Sequence, residues 1–384
     1  MRLTYALLWS RLGRQADREQ SVQTAAALAR QGVEVTLLMP RGAGDPELEV
    51  ADLRRWFAVE GDFRLVQQPT RWTGEGVLPS AIWLGQAMAS PAADCDLFYS
   101  RIPVAFTIGA RANIPFAVEH YRPWPDRLPM IRPLVRRTAA SPRCLGFILH
   151  SDFAASSFRR AGISENKLLV AHNGAEPPPA LDKAEARLAI GLSEDRPVVV
   201  YAGRINARKG LDQLLLVADL RTDMLFLLVG SEGEGPIERA AAARPNVRIL
   251  PWQEPEALPA FLRAADVLVI PPSSAPLSRF GDCVLPMKTF AYLAAGRPIL
   301  APRAPDTAEL LRHDDNAWLV PPDDPAAAAA ALALLARDDE LAGRLGRAAA
   351  CVAEKLSWGN RGARIADFLE RRLTEVRGRA WPGS

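Results

Sequence analysis

The sequence predicts an α/β protein built on two doubly wound parallel sheets. Three observations carry this. At 384 residues the chain is too long for one ordinary core, and two domains are the natural division. Residues 3–39 read as strand, loop, helix and strand, the opening unit of such a sheet. A second stretch, PVVVYAGRINARKGLDQLL from Pro197 to Leu215, starts the same architecture again.

In the first half, the apolar run Leu3 to Trp9 is a buried strand, and Ser10 to Asp17 is a polar loop containing Gly13. Val22, Ala25, Ala26 and Ala29 make a helical stripe within Glu19 to Arg30; Gly32 stops it, and Val33 to Met39 is the next strand. Ligands bind at the carboxyl ends of the strands in such sheets, so the Gly13 loop faces the crevice, and Gly13 is a candidate for binding a diphosphate. The GxGxxG fingerprint is absent, which argues against a dehydrogenase. Short strands follow at Asp96 to Tyr99, before Arg101; at Phe116 to Glu119, ending in Glu119-His120; and at Cys144 to Leu149, ending in His150-Ser151. Leu168 to Ala171 leads into His172-Asn173-Gly174-Ala175, and the proline-rich EPPPALDKA, Glu176 to Ala184, is the linker candidate.

In the second half, Val198 to Tyr201 is a β-branched strand ended by Gly203, and Gly210 leads from a polar loop into a helix. A strand, a glycine-bounded loop and a helix start converge free N–H groups and the positive end of a helix dipole on an anion. Arg204 adds a planar fork and Lys209 a point charge, which suits a diphosphate better than a carboxylate. The plainer alternative is two solvated loop cations. Strands at Leu225 to Val229, Asn246 to Pro251, Val267 to Ile270 and Pro298 to Ala301 alternate with helices at Leu258 to Ala265 and Met287 to Ala295. Asp324-Pro325 caps an alanine-rich helix with a core face at Leu332, Leu334 and Leu335, and Trp358 to Arg372 is the last helix. The expected divisions are 1–175, 176–357 and 358–384.

Hydrophobic residues at 49% and charged residues at 24% indicate a soluble, enzyme-like chain. A formal net charge of +3 is too small to imply nucleic acid. Cys95, Cys144, Cys283 and Cys351 are scattered without paired spacing, which reads as reduced thiols of a cytoplasmic protein without a zinc site. The opening MRLTYALLWSRLG is too short an apolar run for a signal peptide, and no run approaches a membrane span. Any membrane contact is therefore expected to be peripheral, at the inner face. Arg127 to Arg143 holds Arg127, Arg132, Arg136, Arg137 and Arg143 among Leu128, Met130, Ile131, Leu134 and Val135, with Arg122 and the one acid Asp126 just before it. That stretch fits an anionic membrane surface, and it also fits a solvated basic face. It lacks the interleaved stacking residues that nucleic-acid binding uses.

GRINARKG, from Gly203 to Gly210, resembles the signature of retaining glycosyltransferases of the GT-B fold, the family-4 or group-1 enzymes. GVEVTLLMP, after the first helix, and His172-Asn173-Gly174-Ala175 resemble the same family's N-terminal domain. The resemblance covers most of the chain and is tightest from Pro197 to Pro322. It implies two Rossmann-like domains facing across a cleft, an acceptor-side N-terminal one and a nucleotide-sugar-binding C-terminal one, with the last helix crossing back to the first. It implies transfer of a sugar from a UDP- or GDP-sugar to a hydroxyl acceptor (a glycan, a lipid-linked glycan or a small molecule), in polysaccharide or glycoconjugate biosynthesis. It also implies retained configuration, no cofactor and no metal, with cations in the metal's place and a phosphate oxygen of the donor taking the acceptor proton. An altered or inactive nucleotide-binding protein of this fold and a sugar-nucleotide epimerase are the competing readings.

The resemblance also assigns residues. The family carries two glutamates in the segment aligned with Ser278 to Arg297; here Ala291 takes the second place, and Cys283 or Ser278 the first. Asp282 is the carboxylate near enough to substitute, and Glu309 begins a family helix where a helix-face acid is the alternative. Leu285, Pro286, Met287 and Lys288 open a helix whose N–H groups suit a phosphate; Lys288 is a further cation or a solvated side chain. Trp252 and Gln253 lie where relatives place the base-contacting loop, and half-buried packing is the alternative for the tryptophan. Glu232 sits in a glycine-rich loop on the same crevice. His120 matches a histidine at the donor sugar, with Glu119 to orient it, against a structural role; His150 and His172 also close strands.

Overall fold

The computed structural model describes residues 1–71, 76–102, 104–105, 113–193, 195–278 and 285–379. Asp282 and Cys283 lie outside the described residues. The chain forms two units: residues 1–173 with the chain from Trp358 onward, and Gly174–Ser357.

The first unit is a seven-stranded parallel sheet of β1 (Arg2–Ala6), β2 (Glu34–Arg41), β3 (Arg64–Pro69), β4 (Leu97–Ser100), β5 (Phe116–His120), β6 (Cys144–Leu149) and β7 (Leu168–Val170), in the order β3-β2-β1-β4-β5-β6-β7. Strand alternation sends Leu3 and Tyr5 into one core with Val35 and Leu37, and Ala6 into the other with Phe98, Phe116 and Trp83. The helix Ala16–Ala29 departs from the one-sided stripe expected of it, since Gln20 to Leu28 are all buried. The reason is the helix Trp358–Arg379, which packs on its outer side. The two approach so closely that a Cβ on Gly362 would stand 2.6 Å from the Ala27 carbonyl oxygen. Only a glycine there lets the last helix cover the first.

The second unit is a six-stranded parallel sheet of β8 (Val198–Ala202), β9 (Leu225–Ser231), β10 (Val247–Pro251), β11 (Val267–Val269), β12 (Ile299–Pro302) and β13 (Trp318–Val320), in the order β10-β9-β8-β11-β12-β13. Val199 and Tyr201 point into one core, and Val198, Val200 and Ala202 into the other, so both faces of β8 are covered and the run is apolar throughout. In each sheet the strand order reverses once, between β1 and β4 and between β8 and β11. At those points the carboxyl ends of the strands splay and leave room for a ligand.

Candidate functional site

The second unit's reversal point is built from glycines upward. Gly203, just past β8, has φ +136 and donates its N–H to Val229 O at 2.9 Å. Gly230, at the end of β9, has φ +123, and a Cβ there would lie 2.5 Å from Gly203 O. Two glycines thus let the strand ends run flush. Gly210, at φ +71, turns the loop into the helix Leu211–Leu220 and packs where a Cβ would strike the Ser273 side chain at 2.4 Å.

Four cations are carried by this region, one of them Arg208, exposed on the loop beside Lys209. Arg204 and Lys209 stand on the loop, and Lys288 reaches it from the helix Lys288–Ala295. The Lys288 ammonium lies 3.4 Å from the centre of the Tyr201 ring, and 3.1 Å from where a Cβ of Gly203 would be. Arg204 Nη2 meets Glu232 Oε1 at 3.4 Å, with the side chains 35% and 41% exposed. A pair so exposed contributes under about 1 kcal/mol, so Arg204 can yield to a stronger anion. Beneath the loop, Tyr201 Oη donates to Arg204 O at 2.9 Å, and Ala202 N–H donates to Tyr292 Oη at 2.7 Å. The second bond stands just past the last β8–β11 ladder pair, Val200 with Leu268.

Leu285 has φ +46, a left-handed conformation that a side chain resists. It is held there by burial and by its N–H donating to Asp306 Oδ2 at 2.8 Å. Burial pushes the Asp306 carboxyl up, against the bond from Leu285. Pro286, Met287 and Lys288 follow, half-buried, at the helix start. Ala291 is half-buried against the core under that helix. Glu309 closes the turn Thr307–Glu309 next to Asp306. Trp252 and Gln253 lie past β10, the edge strand two places from β8, with Trp252 N–H donating to Ser231 O at 2.9 Å and Gln253 Nε2 to Pro251 O at 2.9 Å.

Gly13 belongs to the first unit, where the Arg18 guanidinium and the Gln15 amide fill the space a Cβ would need. His120 ends β5, buried, with its ring edge-on to Trp124 at 6.4 Å. Burial, helped by Arg101, holds its pKa down to about 3, so the imidazole is neutral. Glu119 does not orient it. Neighbouring residues of a strand face opposite sides, and the Glu119 carboxylate receives Tyr5 Oη at 2.7 Å, Gln20 Nε2 at 2.6 Å, His150 Nε2 at 2.8 Å and the Arg361 guanidinium. Burial opposes a charge there, but Arg361, His150 and Arg101 outweigh it and keep Glu119 well below the usual carboxylate range. Burial likewise lowers His150 to about 4. A neutral His150 beside an ionised carboxylate carries its proton on Nε2. His172 enters the network through its carbonyl, which Arg361 reaches at 3.0 Å.

The basic segment is partly structural. Arg132 bonds Asp126 at 2.9 Å, Arg136 Nε donates to Ala161 O at 2.6 Å, and Arg143 to Asn113 O at 2.7 Å. Arg127 and Arg137 are exposed, and Met130 is 83% exposed at the tip between them.

Tyr201, Tyr292, Asp306 and Arg361 escaped the sequence reading. A hydroxyl at the end of an otherwise apolar strand was the available signal for Tyr201; Arg361 had no local signal.

Residues 182–351 match the family model described as glycosyl transferases group 1, and residues 20–177 the model described as glycosyltransferase family 4. The D-inositol 3-phosphate glycosyltransferase of Streptomyces scabiei is 31% identical over 247 residues, 59% of this chain and 54% of that protein. The chain spans about half the length of the curated relatives it matches. Among solved structures, Anabaena Alr3699/HepE in complex with UDP superposes with a TM-score of 0.71 at 18% identity, over 97% of this chain and 100% of that one. Sucrose-phosphate synthase from Thermosynechococcus elongatus gives 0.73 at 19% identity, over 97% and 99%.

Proposed function

We propose that this chain, which belongs to the group 1, family 4 glycosyltransferases and has their GT-B type of fold, transfers a sugar from a nucleoside diphosphate donor to a hydroxyl acceptor with retention of configuration. The observation that carries this is the assembly of Arg204, Lys209 and Lys288 around the glycine loop at the β8–β11 reversal. In the reaction the bond from the anomeric carbon to the diphosphate oxygen breaks, and a bond to the acceptor oxygen forms. Negative charge grows on the departing diphosphate, and fixed cations around it lower the barrier electrostatically. The acceptor proton passes to a phosphate oxygen, so no protein base is required.

In this reading residues 176–357 hold the donor and residues 1–175 face the acceptor. The helix start at Met287 and Lys288 adds N–H groups to the phosphate site, with Leu285 and Pro286 lining its approach, and Trp252 and Gln253 flank the base. Asp282 or Glu309 stands in for the absent glutamates. His120, neutral and buried at the end of β5, is the candidate catalytic residue of the first unit. HepE was solved with UDP, which favours UDP-sugars over GDP-sugars as the first donors to try. Among the described residues no helix is long and apolar enough to cross a membrane. The exposed Arg127, Met130 and Arg137 support peripheral contact with an anionic membrane face.

The test is a donor screen by thermal shift, since a ligand of the native state raises its melting temperature by mass action. Nucleoside diphosphate release is then followed with and without acceptors, and the product anomer is read by NMR. UDP and GDP that leave the melting temperature unmoved at millimolar concentration, with no turnover, would sink the proposal. Nucleoside diphosphate release independent of acceptor would favour a hydrolase, and donor converted to another nucleotide sugar without release would favour an epimerase.

A further inference from the structure

We propose that Tyr201 is the positioning residue of the donor site, fixing Arg204 through its hydroxyl and Lys288 through its ring. The inference rests on the donor-site reading above and goes beyond it by assigning a residue that touches no substrate. Tyr201 is fully buried on β8, two residues before Gly203. A glycine at φ +136, a conformation that side chains resist, leads the backbone into the loop. The bond from Tyr201 Oη to Arg204 O spans that glycine and ties the backbone on its far side to the core. The guanidinium of Arg204 extends from the Cα next to the carbonyl so held. The same ring carries the Lys288 ammonium on its face, 3.4 Å from its centre. A lysine has a flexible four-carbon stem, and a desolvated aromatic face is attractive to its charge. The Lys288 stem also occupies the space that a side chain on Gly203 would take, with Cε 3.3 Å from that position. One side chain therefore sets two cations relative to each other, and they come from a loop and a helix 84 residues apart (288 − 204).

A diphosphate spans two anionic groups, so its binding depends on the spacing of its cations more than the binding of a nucleoside does. The experiment compares UDP with uridine by calorimetry on wild type, Tyr201→Phe, Tyr201→Leu, Lys288→Met and Arg204→Ala. Tyr201→Phe keeps the ring and loses the hydroxyl; it should weaken UDP by about threefold to tenfold, the span of one ordinary hydrogen bond. Tyr201→Leu loses both contacts and should weaken UDP further, with uridine changed by less than about twofold in either variant. Tyr201→Leu should also cost less on the Lys288→Met background than on wild type, because the ring then has no ammonium to hold. If both tyrosine variants bind UDP as wild type does while Arg204→Ala weakens it, Tyr201 is only core packing and the inference fails alone. It also fails if UDP and uridine weaken equally. If wild type binds neither UDP nor GDP, or Arg204→Ala and Lys288→Met leave binding unchanged, the donor-site reading falls and takes this inference with it. Tyr201→Phe carries the test should Tyr201→Leu not fold.

Discussion

The carboxylate of Glu119 on β5 is bonded to the guanidinium of Arg361 on the last helix, and both side chains are closed to solvent. Arg361 also donates to the carbonyls of Ala171 and His172. The pair therefore fastens the last helix, β5 and the end of β7 to one another inside the first unit. Removing one partner of a buried pair leaves the other uncompensated. Arg361→Leu should cost about 3–5 kcal/mol in urea unfolding. A loss under about 1 kcal/mol would mean that Tyr5, Gln20 and His150 suffice to hold the Glu119 charge.

The same network sets the pH dependence of stability. His120 and His150 are lowered from 6.5 to about 3 and about 4, chiefly by burial. The unfolded chain then binds protons that the folded one refuses, so stability is full above pH 6.5 and declines as pH falls toward 4 and then 3. Glu119, held below its ordinary value, contributes in the same direction below about pH 4.3. Asp306, raised by burial, works the other way. The clean window is pH 7 to 5. There the melting temperature should fall steadily, and less steeply for His150→Gln; a rise on acidification would contradict the assignment.

Arg204→Ala and Lys209→Ala should each weaken UDP by about 1.5–3 kcal/mol, the worth of a charged hydrogen bond in a desolvated site, and leave uridine almost unchanged. Glu232→Gln provides the opposite sign. It frees Arg204 from the partner 3.4 Å away and should tighten UDP slightly. Equal losses for UDP and uridine in the two cation variants would make those residues structural.

These sites differ in how far the sequence discloses them. The strand at Val198, its glycines and the helix after Gly210 are all local signals, and the loop cations follow from them without tertiary information. β3, RLVQQP, is half polar at a sheet edge, and β13 is three residues long; neither offers a pattern strong enough to read. Burial of the helix Ala16–Ala29 on every side depends on Gly362, more than 300 residues away, and the partner of Glu119 is 242 residues away. No periodicity carries that information. The pairing of Glu119 with His120 fails for a different reason, since strand alternation alone places the two on opposite faces.

Membrane contact is tested most cleanly with Arg127→Glu and Arg137→Glu together, both exposed. Arg136 is spared, since its Nε is spent on Ala161 O. Each basic residue near an anionic surface is worth about 1 kcal/mol, so the double variant should lose most co-sedimentation with phosphatidylglycerol vesicles at low salt. Its melting temperature should match wild type. Met130→Ser should weaken pelleting at high salt, where the apolar tip matters most. A wild-type protein that stays in the supernatant at low salt removes the membrane from the proposal.

Ala291 makes the sharpest statement about the donor. It stands on the helix Lys288–Ala295 where the family resemblance implies a glutamate that accepts hydrogen bonds from the ribose hydroxyls. Its methyl group accepts none. With the donor held chiefly by its diphosphate, 2′-deoxy-UDP should bind within about 1 kcal/mol of UDP, since no charged acceptor is stranded when the hydroxyl goes. Ala291 is half-buried against the core, so Ala291→Glu tests the space beside it. With room for a carboxylate, the variant should acquire a preference for UDP over its deoxy form. If the space has been refilled, no preference appears and stability drops by about 1–3 kcal/mol from overpacking. A wild-type preference for ribose above about 2 kcal/mol would overturn the prediction and require a resident carboxylate. Asp306 is then the first to test beside Asp282 and Glu309. It is 2% exposed, its Oδ2 is taken by Leu285 N–H, and its Oδ1 has no hydrogen-bond partner among the described residues. Asp306→Asn would abolish such a preference, whereas Glu309→Gln would leave it in place.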